Sequence, residues 1–266
     1  MDFKRSRPLL APNEPPAVET VNADGRSVYV ITCEHAGNRI PRALGDMGLE
    51  ERERLRHIGW DIGAAAVARR LSVMLDAPLV LQTYSRLVID CNRTLDRPDS
   101  IPVVSETTEI AGNRDLPPDA ARMRAEEIHK PYHDEIAGLL DRRRAVGKPT
   151  MLIAMHSFTP VFKAVPRPWH VGFLFNRDPR LSNALLPHAH GDGDLVVGVN
   201  EPYAISDLSD YTIPIHGERR GIPHLEFEVR QDLIEGEAGQ RAWADRLGRW
   251  MGRVGDEPGS VFEANR

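Results

Sequence analysis

Short apolar runs, most of them rich in β-branched residues, alternate along this chain with stretches of helical period, and that alternation leaves few architectures open. The runs cover residues 28–32, 78–82, 87–89, 150–155, 171–175, 195–199 and 224–229. Several are apolar without interruption, as strands covered on both faces must be. Between them, Leu55, Ile58, Ile62, Ala65, Ala66 and Leu71 recur at helical spacing over residues 49–75, with a break near Gly59 that makes one broken helix or two. Residues 120–146 read as a charged amphipathic helix that Gly147 terminates, and Asp178-Pro179 as a helix N-cap and first turn. A last helix over 237–251 presents Trp243, Leu247 and Trp250 as a stripe against the sheet. The expected fold is therefore α/β: a mixed, largely parallel central sheet with helices on both faces.

The chain has 266 residues, within the range of one α/β domain. Residues 1–27, with Pro8, Pro12, Pro15 and Pro16 among polar neighbours, read as an extended arm, and 28–266 as a single domain. A net charge of -5 argues against nucleic acid or an anionic membrane as partner, since both need a concentrated basic surface. No stretch has the length and apolarity of a membrane span or a signal-peptide core. Cys33 and Cys91 are too few for a disulfide framework, so a reduced, cytoplasmic setting is expected. The oligomeric state is left open.

In sheets of this kind ligands gather outside the carboxyl ends of strands. Several runs end there in polar residues: His35, Asn92 with Arg93, His156, and Glu228. Two histidines and an oxygen donor with one open position make the ligand pattern of a catalytic zinc. The segment Ser85-Arg86-Leu87-Val88-Ile89-Asp90-Cys91-Asn92-Arg93 carries two guanidiniums suited to a small carboxylate ligand. Lysine occurs only at Lys4, Lys130, Lys148 and Lys163, so arginine is favoured throughout and a single arginine is weak evidence. Glu226 is expected on the face of the sheet opposite Glu228, and the pattern alone does not say which of them is catalytic.

The stretches CEHAGNRIP, HIGWDIGAA, YSRLVIDCNR, HSFTP, VNEPY, IHGERRG and PHLEFEVRQDLI, in that order, resemble the N-formylglutamate amidohydrolase family from Val28 to about Ile234. That family is similar in fold to the zinc carboxypeptidases and aspartoacylases, which implies a phosphorylase/hydrolase-like arrangement. The resemblance implies His35 and His156 as ligands of a divalent metal, zinc by analogy. It implies Asn92-Arg93 as the pair that binds the substrate's α-carboxylate, Arg86 as the group that polarises the scissile carbonyl, and Glu228 as general base. Where the wider superfamily places a glutamate ligand this chain has Asn38, so Asn38, Glu34 and Asp61 are the candidates for the third ligand. Asn200, Tyr203 and His216 lie in family-like motifs as pocket candidates, and Arg219, Arg220 or Arg230 are offered for a second carboxylate. The implied reaction is metal-dependent hydrolysis of an N-formyl amino acid such as N-formyl-L-glutamate, a small anionic substrate, as in histidine breakdown, with an aspartoacylase- or carboxypeptidase-like hydrolase of another N-acyl amino acid and a non-catalytic binder of acidic metabolites as the alternatives.

Overall fold

The structure is a computed structural model, and it describes residues 8–263. Seven strands form the central sheet: β1 (Val18–Val21), β2 (Tyr29–Cys33), β3 (Leu79–Gln82), β4 (Met151–Phe158), β5 (Val171–Leu174), β6 (Val197–Val199) and β7 (His224–Arg230), in the order β1-β3-β2-β4-β7-β5-β6. The inner strands β3, β2, β4 and β7 are mutually parallel; β5 runs antiparallel to β7, β6 parallel to β5, and β1 antiparallel to β3. The sheet is thus mixed and mostly parallel.

Its two faces follow from strand alternation. Tyr29, Ile31, Leu79, Leu81, Met151, Ile153, Met155, Leu225 and Phe227 pack on one side with α2 (Ala64–Leu75), α5 (Arg180–His190) and α6 (Glu237–Asp256). Val30, Val80 and Leu152 project to the other side, against Tyr132, Ile136, Leu139 and Leu140 of α4 (Lys130–Ala145). Helices cover both faces, as the apolar runs require. No helix among the described residues is long and apolar enough to cross a membrane.

Several expectations change. The segment 49–75 is two helices, α1 (Glu51–Arg54) and α2, with Gly59 in the gap. The long helix predicted over 120–146 starts earlier, as α3 (Pro118–Arg124), and passes through one π turn (Ala125–His129) into α4. Residues 1–7 of the proposed arm lie outside the described residues. The rest of it is not merely an arm, because Val18–Val21 pairs with Leu79–Gln82 as an edge strand and Leu9 and Ala17 enter the core. Residues 87–89 are not a strand. Val88 N donates to Ser85 O in a turn, and the apolar side chains of 87–89 are buried among those of α4. Burial made this run apolar, and a short apolar run carries no mark of its backbone geometry.

Two glycines let loops approach closely. A Cβ on Gly37 would stand 1.8 Å from Thr83 O, which fixes the path of the chain leaving β2. Gly63 has φ +81°, and a Cβ there would stand 2.1 Å from Ile234 O. Strained backbone and this clash should make Gly63→Ala less stable by about 1–3 kcal/mol. Urea midpoints of the two proteins check it, and equal midpoints would contradict the close packing of 61–63 against 234.

Candidate active site

Strands β4 and β7 are paired in parallel register, with His156 opposite Glu228 and Ala154 opposite Glu226. Residues two apart on a strand share a face. Glu226 and Glu228 therefore project together to the side of His156, while Leu225, Phe227 and Val229 fill the core behind them. The expectation that the two glutamates face opposite sides is corrected. Glu226, His156 and Glu228 are all buried.

The turn after β2 sends Glu34 and His35 to different partners. His35 Nε2 donates to Asp90 Oδ1 at 2.7 Å, which leaves Nδ1 directed at Asp61 Oδ2, 3.4 Å away. Glu34 Oε2 lies 2.8 Å from His156 Nε2, and its Oε1 accepts from the Tyr132 hydroxyl at 3.2 Å. Asp61 is placed by its own amide, which donates to His35 O at 2.9 Å. Its Oδ2 then accepts from His156 Nδ1 at 2.9 Å and from the Ser157 amide at 3.2 Å. Donor atoms of His35, Asp61 and His156 lie within 4.8 Å of one another, as do those of His156, Glu226 and Glu228.

Charge in this cluster is polarised. Burial works against ionised Asp61 and Asp90, but His35 and His156 around the first, and Arg86 and His35 around the second, hold both well below the usual carboxylate range. Burial likewise raises Glu34, and His156 outweighs it, bringing the carboxyl down to about 2. His156, although burial disfavours its charge, is pushed well up by Glu226, Asp61 and Glu34. Glu226 and Glu228 are raised, chiefly by burial, Glu226 to about 7. Buried His35 Nδ1, Glu226 Oε2 and Glu228 Oε2 make no hydrogen bond within the protein, and the contact between Glu34 Oε2 and His156 Nε2 is too poorly angled to be one. Buried polar atoms without partners, converging from two imidazoles and carboxylates, fit a divalent cation. Asn38 does not join them. It lines a surface cleft with Pro15, Glu19, Arg69 and Thr83.

The segment 85–93 sits beside this cluster. Arg86 donates to Asp90 Oδ2 through Nε at 3.0 Å and Nη2 at 2.6 Å, and its Nη1 is 3.6 Å from Asp61 Oδ1. Asn92 is used internally: Oδ1 accepts from the amides of Tyr211 and Thr212, each at 3.1 Å, and Nδ2 donates to Asp210 at 3.3 Å. Arg93 binds the carbonyl oxygens of Asn92 and Ser209 and has Asp99 and Asp210 within ion-pair range. Both carbonyls flanking Asn92 are held from the helix side. His133 Nε2 donates to Cys91 O at 2.8 Å and His129 Nε2 to Arg93 O at 3.1 Å. A carbonyl can only accept, so His133 Nδ1 takes the proton of His216 Nε2, 3.0 Å away. His216 thus supports the segment through His133, and its charge is disfavoured by burial and by Arg220, to about 4.

The remaining candidates separate. Asn200 shapes its loop: at φ +53° its Oδ1 accepts from the Phe175 amide at 2.9 Å. Tyr203 is 43% exposed and accepts from Arg167 Nη1 at 2.7 Å. Arg220 pairs with Asp141 and Arg230 with Asp232, while Arg219 is exposed. Sequence reasoning weighed Glu226 only as an alternative to Glu228 on the opposite face, and it passed over Asp90, Tyr132, His129 and His133. Asp90 had a signal, four residues after Arg86 on a segment already singled out. The helix residues had none.

A parallel-cored α/β sheet with a buried histidine and carboxylate cluster beside the ends of β2 and β4 defines a hydrolase scaffold able to hold a metal ion. Residues 27–235 match the family model of N-formylglutamate amidohydrolase, and the chain belongs to that amidohydrolase family. The crystal structure of a gene product from Agrobacterium tumefaciens is similar at 37% sequence identity and TM-score 0.90, covering 92% of this chain and 97% of its own. An N-formylglutamate amidohydrolase from Ralstonia eutropha JMP134 shares the fold at TM-score 0.68 and 20% identity, over 91% of this chain and 98% of that one. No curated protein gives a significant match.

Proposed function

We propose that this protein hydrolyses N-formyl-L-glutamate to formate and L-glutamate with a bound divalent metal, zinc by its donor set. The observation that carries the reading is the convergence of His35, Asp61 and His156 beside Glu228 in one buried cluster. His35 through Nδ1, His156 and a carboxylate oxygen of Asp61 would hold the ion, so Asp61 is the third ligand in place of Asn38. Asp90, hydrogen-bonded to His35, is the outer carboxylate that orients a ligating imidazole, and Glu34 sets its charge beside His156 Nε2. When bound, such an ion acidifies water and polarises a carbonyl oxygen.

The chain's own groups supply the rest. Glu228, whose Oε2 is unpartnered and whose carboxyl would be drawn back to its ionised form by a cation beside His156, takes the proton of the attacking water and delivers it to the leaving amine nitrogen. Arg86, locked by Asp90 with Nη1 turned to Asp61, offers a fixed positive charge to the oxyanion that forms at the formyl carbon. Arg93 is offered for the α-carboxylate, which would share it with Asp99 and Asp210. Asn92 contributes by fixing the loop and not through a free amide.

Formate and glutamate release by the purified protein, with elemental analysis of the same sample, is the test. About one zinc per chain, with turnover lost on chelation and restored by the ion, is expected. Full turnover in metal-free protein would sink the metal mechanism. A panel of N-formyl, N-acetyl and N-succinyl amino acids should rank N-formylglutamate first.

A further inference from the structure

A dicarboxylic amino acid brings two negative charges. Of the arginines first considered for the second, Arg219 is exposed while Arg220 and Arg230 are already engaged, as are the paired arginines of segment 85–93. Arg86 lies against Asp90, Arg93 against Asp99 and Asp210, Arg220 against Asp141, and Arg230 against Asp232. An incoming carboxylate must compete with a protein carboxylate at each. Arg167 differs. Its guanidinium stacks 4.7 Å over the Phe162 ring and 4.7 Å over the Tyr203 ring, with the Phe158 ring at 5.9 Å. Its side-chain hydrogen bond goes to the neutral Tyr203 hydroxyl, and it forms no ion pair with a carboxylate among the described residues.

Three contacts tie Arg167 to the strand ends that carry the site. Its amide donates to Pro160 O at 2.8 Å, closing the small hairpin that follows Phe158, and Phe158 lies two residues beyond His156. Its carbonyl meets Arg230 Nη1 at 3.5 Å, two residues beyond Glu228. Tyr203, which holds it, is close enough to Glu228 and Arg86 for their charges to act on its phenol, after the larger effect of burial. A guanidinium held against aromatic rings, with one N–H spent on a neutral hydroxyl, keeps its full charge and its remaining N–H groups for a carboxylate.

We propose that Arg167 is the docking point for the side-chain carboxylate of a dicarboxylic N-acyl amino acid, an inference that rests on the amidohydrolase reading above. Arg93 and Arg167, from separate segments, then divide the two carboxylates. N-formyl-L-glutamate and N-formyl-L-glutamine have nearly the same shape and differ in that charge, so the ratio of their kcat/KM values isolates it. The ratio should fall about tenfold or more in Arg167→Met, mainly through KM for the glutamate substrate, and less in Arg167→Lys, which keeps the charge without the fork. An unchanged ratio in Arg167→Met overturns the inference. Should the wild type hydrolyse neither compound, the amidohydrolase reading fails and calorimetry still decides on Arg167. L-glutamate should bind tighter than L-glutamine to the wild type, and a preference that is absent there or survives in Arg167→Met overturns the assignment.

Discussion

Glu228→Gln should keep the fold and the metal content of the wild type and lose about 10²- to 10⁴-fold in kcat, the usual worth of a positioned acid–base group. The amide matches the carboxyl in shape, and burial already favours an uncharged side chain at this place, so stability should change little. The paired variant Glu226→Gln separates the two buried glutamates, which lie on one face of β7 and both adjoin His156. Steady-state formate release at equal zinc loading is the measurement. A full loss in Glu226→Gln with activity retained in Glu228→Gln would reverse the assignment of the base.

Asp61→Asn should have the second large effect, on the ion. Asp61 stands between His35 and His156, and its replacement removes the negative charge that gathers them. Outer carboxylates around such ions are worth about 10–100-fold in affinity, and a direct ligand should cost at least that. Zinc retained per chain after dialysis against a competing chelator reads it out. Asn38→Ala, in a separate cleft, should retain the ion as the wild type does. Loss of zinc in Asn38→Ala with retention in Asp61→Asn would return the third ligand to Asn38.

The residues that follow their strands directly were readable, because a buried strand announces itself by its run of apolar residues and the next polar residue marks its end. His35 after 28–32 and His156 after 150–155 were found this way, although β4 continues to Phe158 and carries His156 within it. Asp61 was visible only as one of three options, since it reaches the site through a loop whose path depends on Gly63 and on the His35 carbonyl. The edge strand Val18–Val21 was hidden by its short length and mixed polarity at the sheet margin. His129 and His133 gave no sign at all. On a charged helix their contacts depend on which loop the fold lays beside them.

That helix also sets the shape of residues 88–93, which belong to no strand or helix. Arg124 Nη1 donates to Val88 O at 2.9 Å, His133 to Cys91 O and His129 to Arg93 O. Arg124 and His129 are five positions apart, a spacing that regular α-helix would swing to another side; the π turn between them brings both back to the same loop. The helix thus acts as a mould in which the arginine-bearing loop is cast. A one-residue deletion within 125–128 would let the turn close as regular α-helix with Arg124 and His129 four positions apart and still on one side, so the casting should survive loss of the bulge, whereas a one-residue insertion there should turn Arg124 away from Val88.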